Sequence, residues 1–514
     1  MKIERTKNAG RNIIFGGILK IYQIFIPFLM RTAMIYFMGV QYLGLSSLFT
    51  SILQVLNLAE LGVGGAMVYA MYKPITEDDT KTICALMKLY RTYYRCIGGV
   101  IAVIGLCLTP VIPKLIKSDL PMGLNVYALY LLNLFATVLS YWLFAYKNSI
   151  FQAYQRVDII SKVSLITNTL QYILQLIIIV FVKNYYIYVI VALATQALNN
   201  IITALIATKK YPDYKPVGKL DKKLVKEINS RIRDLFTSKL GMVIVNSADT
   251  VVISAFLGLT VLAIYQNYYF ILTAIIGLVD VIFQACTAGI GNSVIVETKK
   301  KNFDDLKKFT LMIVWIAGFC TCCFLNLYQP FMEIWVGKDL MLNFGCVVCL
   351  CIYYFIYEIN KLLNTYKDAS GIWHEDRFRP LITALTNLAL NILTVNFLGI
   401  YGVLLSTVVS TLVIGMPWLL HNLFTVLFDK EQLREYLIKL SKYLFVVCIS
   451  CVITLLICNI FTFSKWITLI IRGIICCVVP NIIYWVSFKN IPEFEQCTKL
   501  LKTLVGSKIK YSNK

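Results

Sequence analysis

Asn12–Met38 reads NIIFGGILKIYQIFIPFLMRTAMIYFM. It is an apolar run broken only by Lys20 and Arg31 among the charged residue types. A helix needs roughly 20 mostly apolar residues to cross a bilayer, and this run exceeds that. It is too long for the apolar core of a leader peptide and lacks a small-residue cleavage site. The stretch therefore reads as a first membrane span. The same pattern recurs along the chain. Candidate spans lie at 12–38, 44–72, 95–116, 124–146, 157–182, 186–208, 238–258, 260–295, 308–336, 342–366, 379–397, 400–428, 442–462 and 466–488. A membrane β-barrel would instead show alternating segments of about ten residues.

Composition agrees. Of 514 residues, 59% are hydrophobic and 15% charged, against about 25% charged in soluble domains. The net charge of +22 would suggest nucleic acid in a soluble protein. Here the placement of charge decides. With the N-terminus inside and strict alternation, 41 of the 49 Lys and Arg fall on cytoplasmic segments or the inner ends of spans. Five fall outside (Lys114, Lys117, Lys183, Lys338, Lys465) and three lie within spans (Lys20, Arg31, Arg472). Dropping or adding one span spoils this asymmetry. The expected fold is an all-α polytopic membrane protein of fourteen transmembrane helices, with both termini cytoplasmic and no nucleic-acid partner.

The longest inner loop, Lys209 to Lys239, carries ten Lys and Arg and divides the chain. A weak repeat flanks it. Gly62-Val-Gly-Gly-Ala-Met-Val precedes a charged loop in the first half, and Gly289-Ile-Gly-Asn-Ser-Val-Ile precedes one in the second. Two six-helix halves are a transporter pattern. The expected division is an N-lobe over 1–208, a basic linker over 209–237, a C-lobe over 238–428, two added helices over 429–488 and a basic tail over 489–514.

A charge at the bilayer centre costs about 3 kcal/mol or more, so it persists where a cavity or partner compensates it. In the first span Lys20, Gln23, Pro27 and Arg31 recur at three- and four-residue steps, on one helix face, and Pro27 is expected to kink the helix. In the second, Gln54, Asn57 and Glu60 share a face. Glu60 either lines a cavity or neutralises Lys20 or Arg31. Asn246 and Asp249 lie in the seventh span; Gln266, Asp280 and Gln284 in the eighth; Glu358 in the tenth. These groups are the candidate lining of a central cavity. Glu60, Asp249, Asp280 and Glu358 are the candidate ion-coupling acids. Arg472 reads as a snorkelling or structural residue rather than a ligand.

Cys346, Cys349 and Cys351 sit in an apolar run and read as small apolar side chains rather than metal ligands. His374 and His421 are the only histidines; His374 lies in an inner loop and His421 near an inner helix end, and each is a minor candidate for proton coupling. No Gly-x-x-x-x-Gly-Lys-Ser/Thr run is present, so no ATP site is expected, and no cofactor is expected beyond an ion gradient or the membrane potential. Outer loops are short, the longest near 114–123, which argues against an outer-face glycan polymerase or ligase.

Four stretches carry a family likeness. They are Asn57-Leu-Ala-Glu-Leu-Gly-Val-Gly-Gly-Ala through Tyr72-Lys-Pro-Ile; Asn246-Ser-Ala-Asp-Thr-Val-Val-Ile-Ser through Tyr265-Gln-Asn-Tyr; Ser370-Gly-Ile-Trp-His-Glu-Asp-Arg-Phe-Arg-Pro; and Leu398-Gly-Ile-Tyr-Gly-Val-Leu-Leu-Ser-Thr. In order and spacing the chain resembles Wzx-type polysaccharide flippases of the MOP superfamily, which also holds MATE drug exporters and the lipid II flippase. The resemblance implies a V-shaped, two-lobed fold in the bacterial cytoplasmic membrane. It implies alternating access that moves an undecaprenyl-pyrophosphate-linked oligosaccharide outward for capsule, O-antigen or exopolysaccharide assembly. Membrane lipids and other polysaccharide-assembly proteins are the implied partners. Members tend toward a cationic cavity; Lys20 and Arg31 fit, whereas Glu60, Asp249 and Asp280 make this lining mixed. The rival readings are a Na+- or H+-coupled drug antiporter and a lipid II flippase.

Overall fold

The computed structural model describes residues 5–60, 62–117, 120–121, 123–461 and 463–499. Among them almost everything is helical. Eleven helices are long and apolar enough to cross a membrane, or twelve if the pair Val126–Trp142 and Ala145–Ala153, bent by 47°, counts as one span. Val40–Leu56 and Val243–Leu257 are shorter apolar helices. All fourteen expected stretches overlie helical residues. Large apolar side chains face outward, with Phe181 80% and Phe397 88% exposed. Such surfaces suit hydrocarbon and would be aggregation-prone in water. The chain divides into two compact units, 1–266 and 267–514.

The first unit begins with α1 (Arg5–Phe37), which runs through Pro27 as one helix. Then come α2 (Val40–Leu56), α3 (Val63–Thr76), α4 (Thr80–Leu108), α5 (Val126–Trp142) and the short α6 (Asn148–Ala153). Next are α7 (Val157–Ile177), α8 (Tyr185–Lys210), α9 (Lys222–Leu257) and the start of α10 (Leu259–Val296). α1 packs on α7 and α2; α4 packs on α3 and α5; α8 packs on α5 and α7; α9 packs on α2 and α3. This grouping follows packing and differs from a division by repeats.

Three local features shape this unit. The second expected span is broken: α2 tightens into a 3-10 turn over Asn57–Glu60, and α3 starts after Gly62 at φ 91°, a conformation glycine adopts without steric cost. Asp79 caps α4 by accepting from the Thr82 amide at 3.1 Å and hydroxyl at 2.5 Å. Those bonds, the hydroxyl's first, hold its carboxyl below the usual range. At Gly44 of α2, an added Cβ would lie 2.2 Å from the Leu259 carbonyl oxygen, so backbone meets backbone there.

The second unit holds the rest of α10, then α11 (Lys299–Trp335), α12 (Phe344–Ser370), α13 (Arg379–Leu398), α14 (Ile400–Ser410), α15 (Met416–Val426), α16 (Lys430–Ile460) and α17 (Lys465–Phe488). α11 is the hub, packing on α12, α16 and α17. Gly318 admits this approach, since a Cβ there would lie 2.6 Å from the Tyr484 hydroxyl. α13 pairs with α14, and α12 with α14 and α15.

Each unit contains a buried ionic knot. In the first, Asp158 accepts from Arg156 Nε at 2.8 Å and Nη2 at 3.1 Å, with Lys162 at 3.6 Å. Asn12 joins it, accepting from the Asp158 amide at 2.8 Å and donating to the Gln155 carbonyl at 2.9 Å. In the second, Asp376 accepts from Arg379 at 2.6 and 2.7 Å and from Asn422 at 3.1 Å, while Arg379 also donates to Asn364 at 2.8 Å. Asp376 and Arg379 are almost fully buried. Full pairing is what makes such burial tolerable.

Candidate functional site: membrane-embedded polar groups

α1 has two contrasting sides. Ile14, Ile18, Ile21, Phe25 and Leu29 form an exposed apolar stripe. Lys20, Gln23, Pro27 and Arg31 run along the opposite side at about 100° per residue. Lys20 and Gln23 are exposed and Arg31 is half-buried. One side suits lipid and the other a polar environment. The Arg31 guanidinium reaches the Gln266 carbonyl at 3.5 Å, and Gln266 donates to Thr250 of α9 at 3.0 Å.

Gln54 is exposed and Asn57 half-buried, its Oδ1 without a hydrogen-bond partner among the described residues. Glu60 sits at the break before α3. It does not pair with Lys20 or Arg31 among the described ion pairs. Its two carboxylate oxygens instead accept from Tyr94 of α4 and from Tyr141 of α5, the latter at 2.6 Å. Tyr90 donates to Tyr94 at 2.7 Å, extending the chain of hydroxyls. Sequence reasoning passed over these tyrosines. The signal was Tyr90 and Tyr94 four residues apart, opposite an acid in an apolar run. Asp249 is half-buried on α9 and has interaction partners. The side chains of Asn246 and Gln284 lie outside the described residues.

In the second unit Asp280 of α10 pairs with Lys361 of α12 at 3.1 Å. Lys361 was counted as an inner-end charge, and its pairing with Asp280 was not foreseen. Gln266 and Asp280 thus engage different helices despite their shared helix. Glu358, one turn before Lys361, is 1% exposed, and neither carboxylate oxygen has a hydrogen-bond partner among the described residues. Arg472 reaches Asn459 at 3.3 Å and the Asn326 carbonyl at 3.5 Å, a structural setting. Cys346, Cys349 and Cys351 are buried within α12.

Residues 9–287, just over half of the chain, match the family described as polysaccharide biosynthesis protein. No curated protein matches the sequence. Among solved structures, the lipid II flippase MurJ in an inward closed conformation aligns at 16% identity and a TM-score of 0.69, covering 93% of this chain and 99% of that one. An inward-facing multidrug resistance MATE transporter of the MOP superfamily aligns at 14% identity and a TM-score of 0.61, covering 81% and 99%. At such identities the likeness establishes the fold. The sequence match and the helical architecture together identify the chain as a member of the polysaccharide biosynthesis protein family, built on the MOP-transporter fold.

Proposed function

We propose that this protein is a flippase that carries an undecaprenyl-pyrophosphate-linked oligosaccharide from the inner to the outer leaflet of the bacterial cytoplasmic membrane by alternating access. The family match over residues 9–287 carries this reading. The fold supports it, because a structure named as the lipid II flippase MurJ shares it. Val40–Leu56 continued by α3, and Val243–Leu257, would complete fourteen spans with both termini cytoplasmic, as the charge asymmetry requires.

The physics suits the task. A sugar headgroup cannot cross hydrocarbon with its polar groups unsatisfied, each costing several kcal/mol. The polar side of α1 offers a hydrated surface, and Lys20 and Arg31 supply charge complementary to a pyrophosphate. An inside-negative potential favours outward movement of an anion by about 2.3 kcal/mol per charge per 100 mV. The family match sets this reading above drug antiport.

Deleting the chain should cause undecaprenyl-linked glycan to accumulate on the cytoplasmic face, read by lipid extraction and mass spectrometry. Normal surface polysaccharide without accumulation would overturn the proposal. Lys20→Ala and Arg31→Ala should each reduce surface glycan at normal protein abundance. Full export by the double variant would remove the cationic residues from the mechanism.

A further inference from the structure

Two glutamates lie in apolar stretches of the chain, Glu60 at the break between α2 and α3 and Glu358 within α12, and the structure treats them oppositely. Glu60 has a hydroxyl donor on each carboxylate oxygen. Glu358 is 1% exposed and has none on either among the described residues. An ionised carboxylate cannot stay buried without donors or a bound cation. The one ammonium a single turn away, Lys361, is engaged by Asp280 at 3.1 Å. The titratable groups around Glu358 are Asp280 on α10, Lys361, Tyr354 and Tyr357 on α12, and Cys320 on α11. α14 has no Asp, Glu, Lys, Arg or His, and the one histidine of α15, His421, is exposed. Among the described residues no hydrogen bond or ion pair joins Glu358 to a cation; the lysines of α11 lie in its first ten residues, where Lys301, Lys307 and Lys308 pair with acids.

We propose that Glu358 is a proton-carrying site of the transport cycle, neutral in the conformation seen here and ionised when Lys361 is released from Asp280. The exchange balances. A proton from water protonates the Glu358 carboxylate while Lys361 pairs with Asp280. When α10 and α12 shift and that pair opens, Lys361 becomes the partner of Glu358, and the proton leaves to water. Asp280 and Glu358 thus compete for one ammonium. This inference rests on the flippase reading for its purpose, whereas the protonation state is a property of the protein alone.

Infrared difference spectroscopy of the purified protein, stepped from acid to alkaline pH, reads the state directly. Wild type should show a protonated-carboxyl stretch that Glu358→Gln lacks. The same band in E358Q would overturn the assignment. Should E358Q not accumulate, Glu358→Asp serves, since moving the carboxyl must shift the band; an unshifted band overturns the proposal equally. In cells, E358Q at normal abundance and melting temperature should lose most surface-glycan export, whereas E358D should retain export with a displaced pH profile. Normal, pH-independent export by E358Q would overturn the coupling role even with the band assigned. Failure of the deletion strain to accumulate lipid-linked glycan would instead remove the flippase reading and leave the infrared result standing.

Discussion

Tyr94 and Tyr141 hand Glu60 one hydroxyl each, from two different helices. Their contribution is measurable. Tyr141→Phe strips one carboxylate oxygen of its donor, and a hydrogen bond contributes about 0.5–1.5 kcal/mol net. The variant should show a lowered melting temperature, and Tyr90→Phe a smaller drop, since Tyr90 acts only through Tyr94. Asp376 offers a sharper case. Asp376→Asn leaves Arg379 buried beside a neutral amide, and breaking such a pair costs about 3–5 kcal/mol. Purified D376N should melt well below wild type, whereas replacing Asp376 and Arg379 together by apolar residues should recover much of the loss. Equal melting of all three proteins would show the pair to be energetically silent. Little of this was legible in sequence. Asp376 and Arg379 stand three residues apart, just before and at the start of α13, and the side chains that complete their hydrogen bonding, Asn364 and Asn422, come from other helices.

At the scale of elements, hydropathy located the helices well, because a bilayer demands long apolar runs whatever their tertiary partners. Two features escaped it. The run 44–72 reads as one span, yet it breaks at Asn57–Gly62; the glycines were visible, but the left-handed turn at Gly62 depends on packing. The basic stretch 209–237 reads as a linker, yet α9 begins at Lys222 and continues into the apolar segment as one helix of 36 residues, since charged residues are good helix formers. Gly44 provides the test at this scale. With Leu259 carbonyl backbone in the way, Gly44→Val must push α2 from the start of α10. Overpacking typically costs about 1–3 kcal/mol. G44V should melt lower and expose the α2–α10 contact to proteolysis, whereas Gly99→Ala, with nothing within 4 Å of its Cβ, should leave melting unchanged.

For the whole molecule, the charge asymmetry makes a prediction independent of substrate. Lys338, highly exposed in its ion pair with Glu333, should lie outside, and Lys219 inside. A phosphatase reporter fused after Lys338 should be active and one fused after Lys219 inactive; the reverse pattern would invert the topology. The family was legible because two of its motifs, at Asn57 and Asn246, lie as contiguous stretches within the matched residues 9–287. The coupling between Asp280 and Lys361 was not, because it joins residues 81 positions apart.

The break in the second span has one more consequence. The first amides of a helix lack intrahelical carbonyl partners, and its aligned peptide dipoles place partial positive charge at its start. Glu60 belongs to the turn before α3. Its hydrogen-bond donors among the described residues are the phenols of Tyr94 and Tyr141, with no lysine or arginine among them. A span cut in two thus lets one helix carry an acid in the same apolar setting where its neighbour presents cations, without the two cancelling.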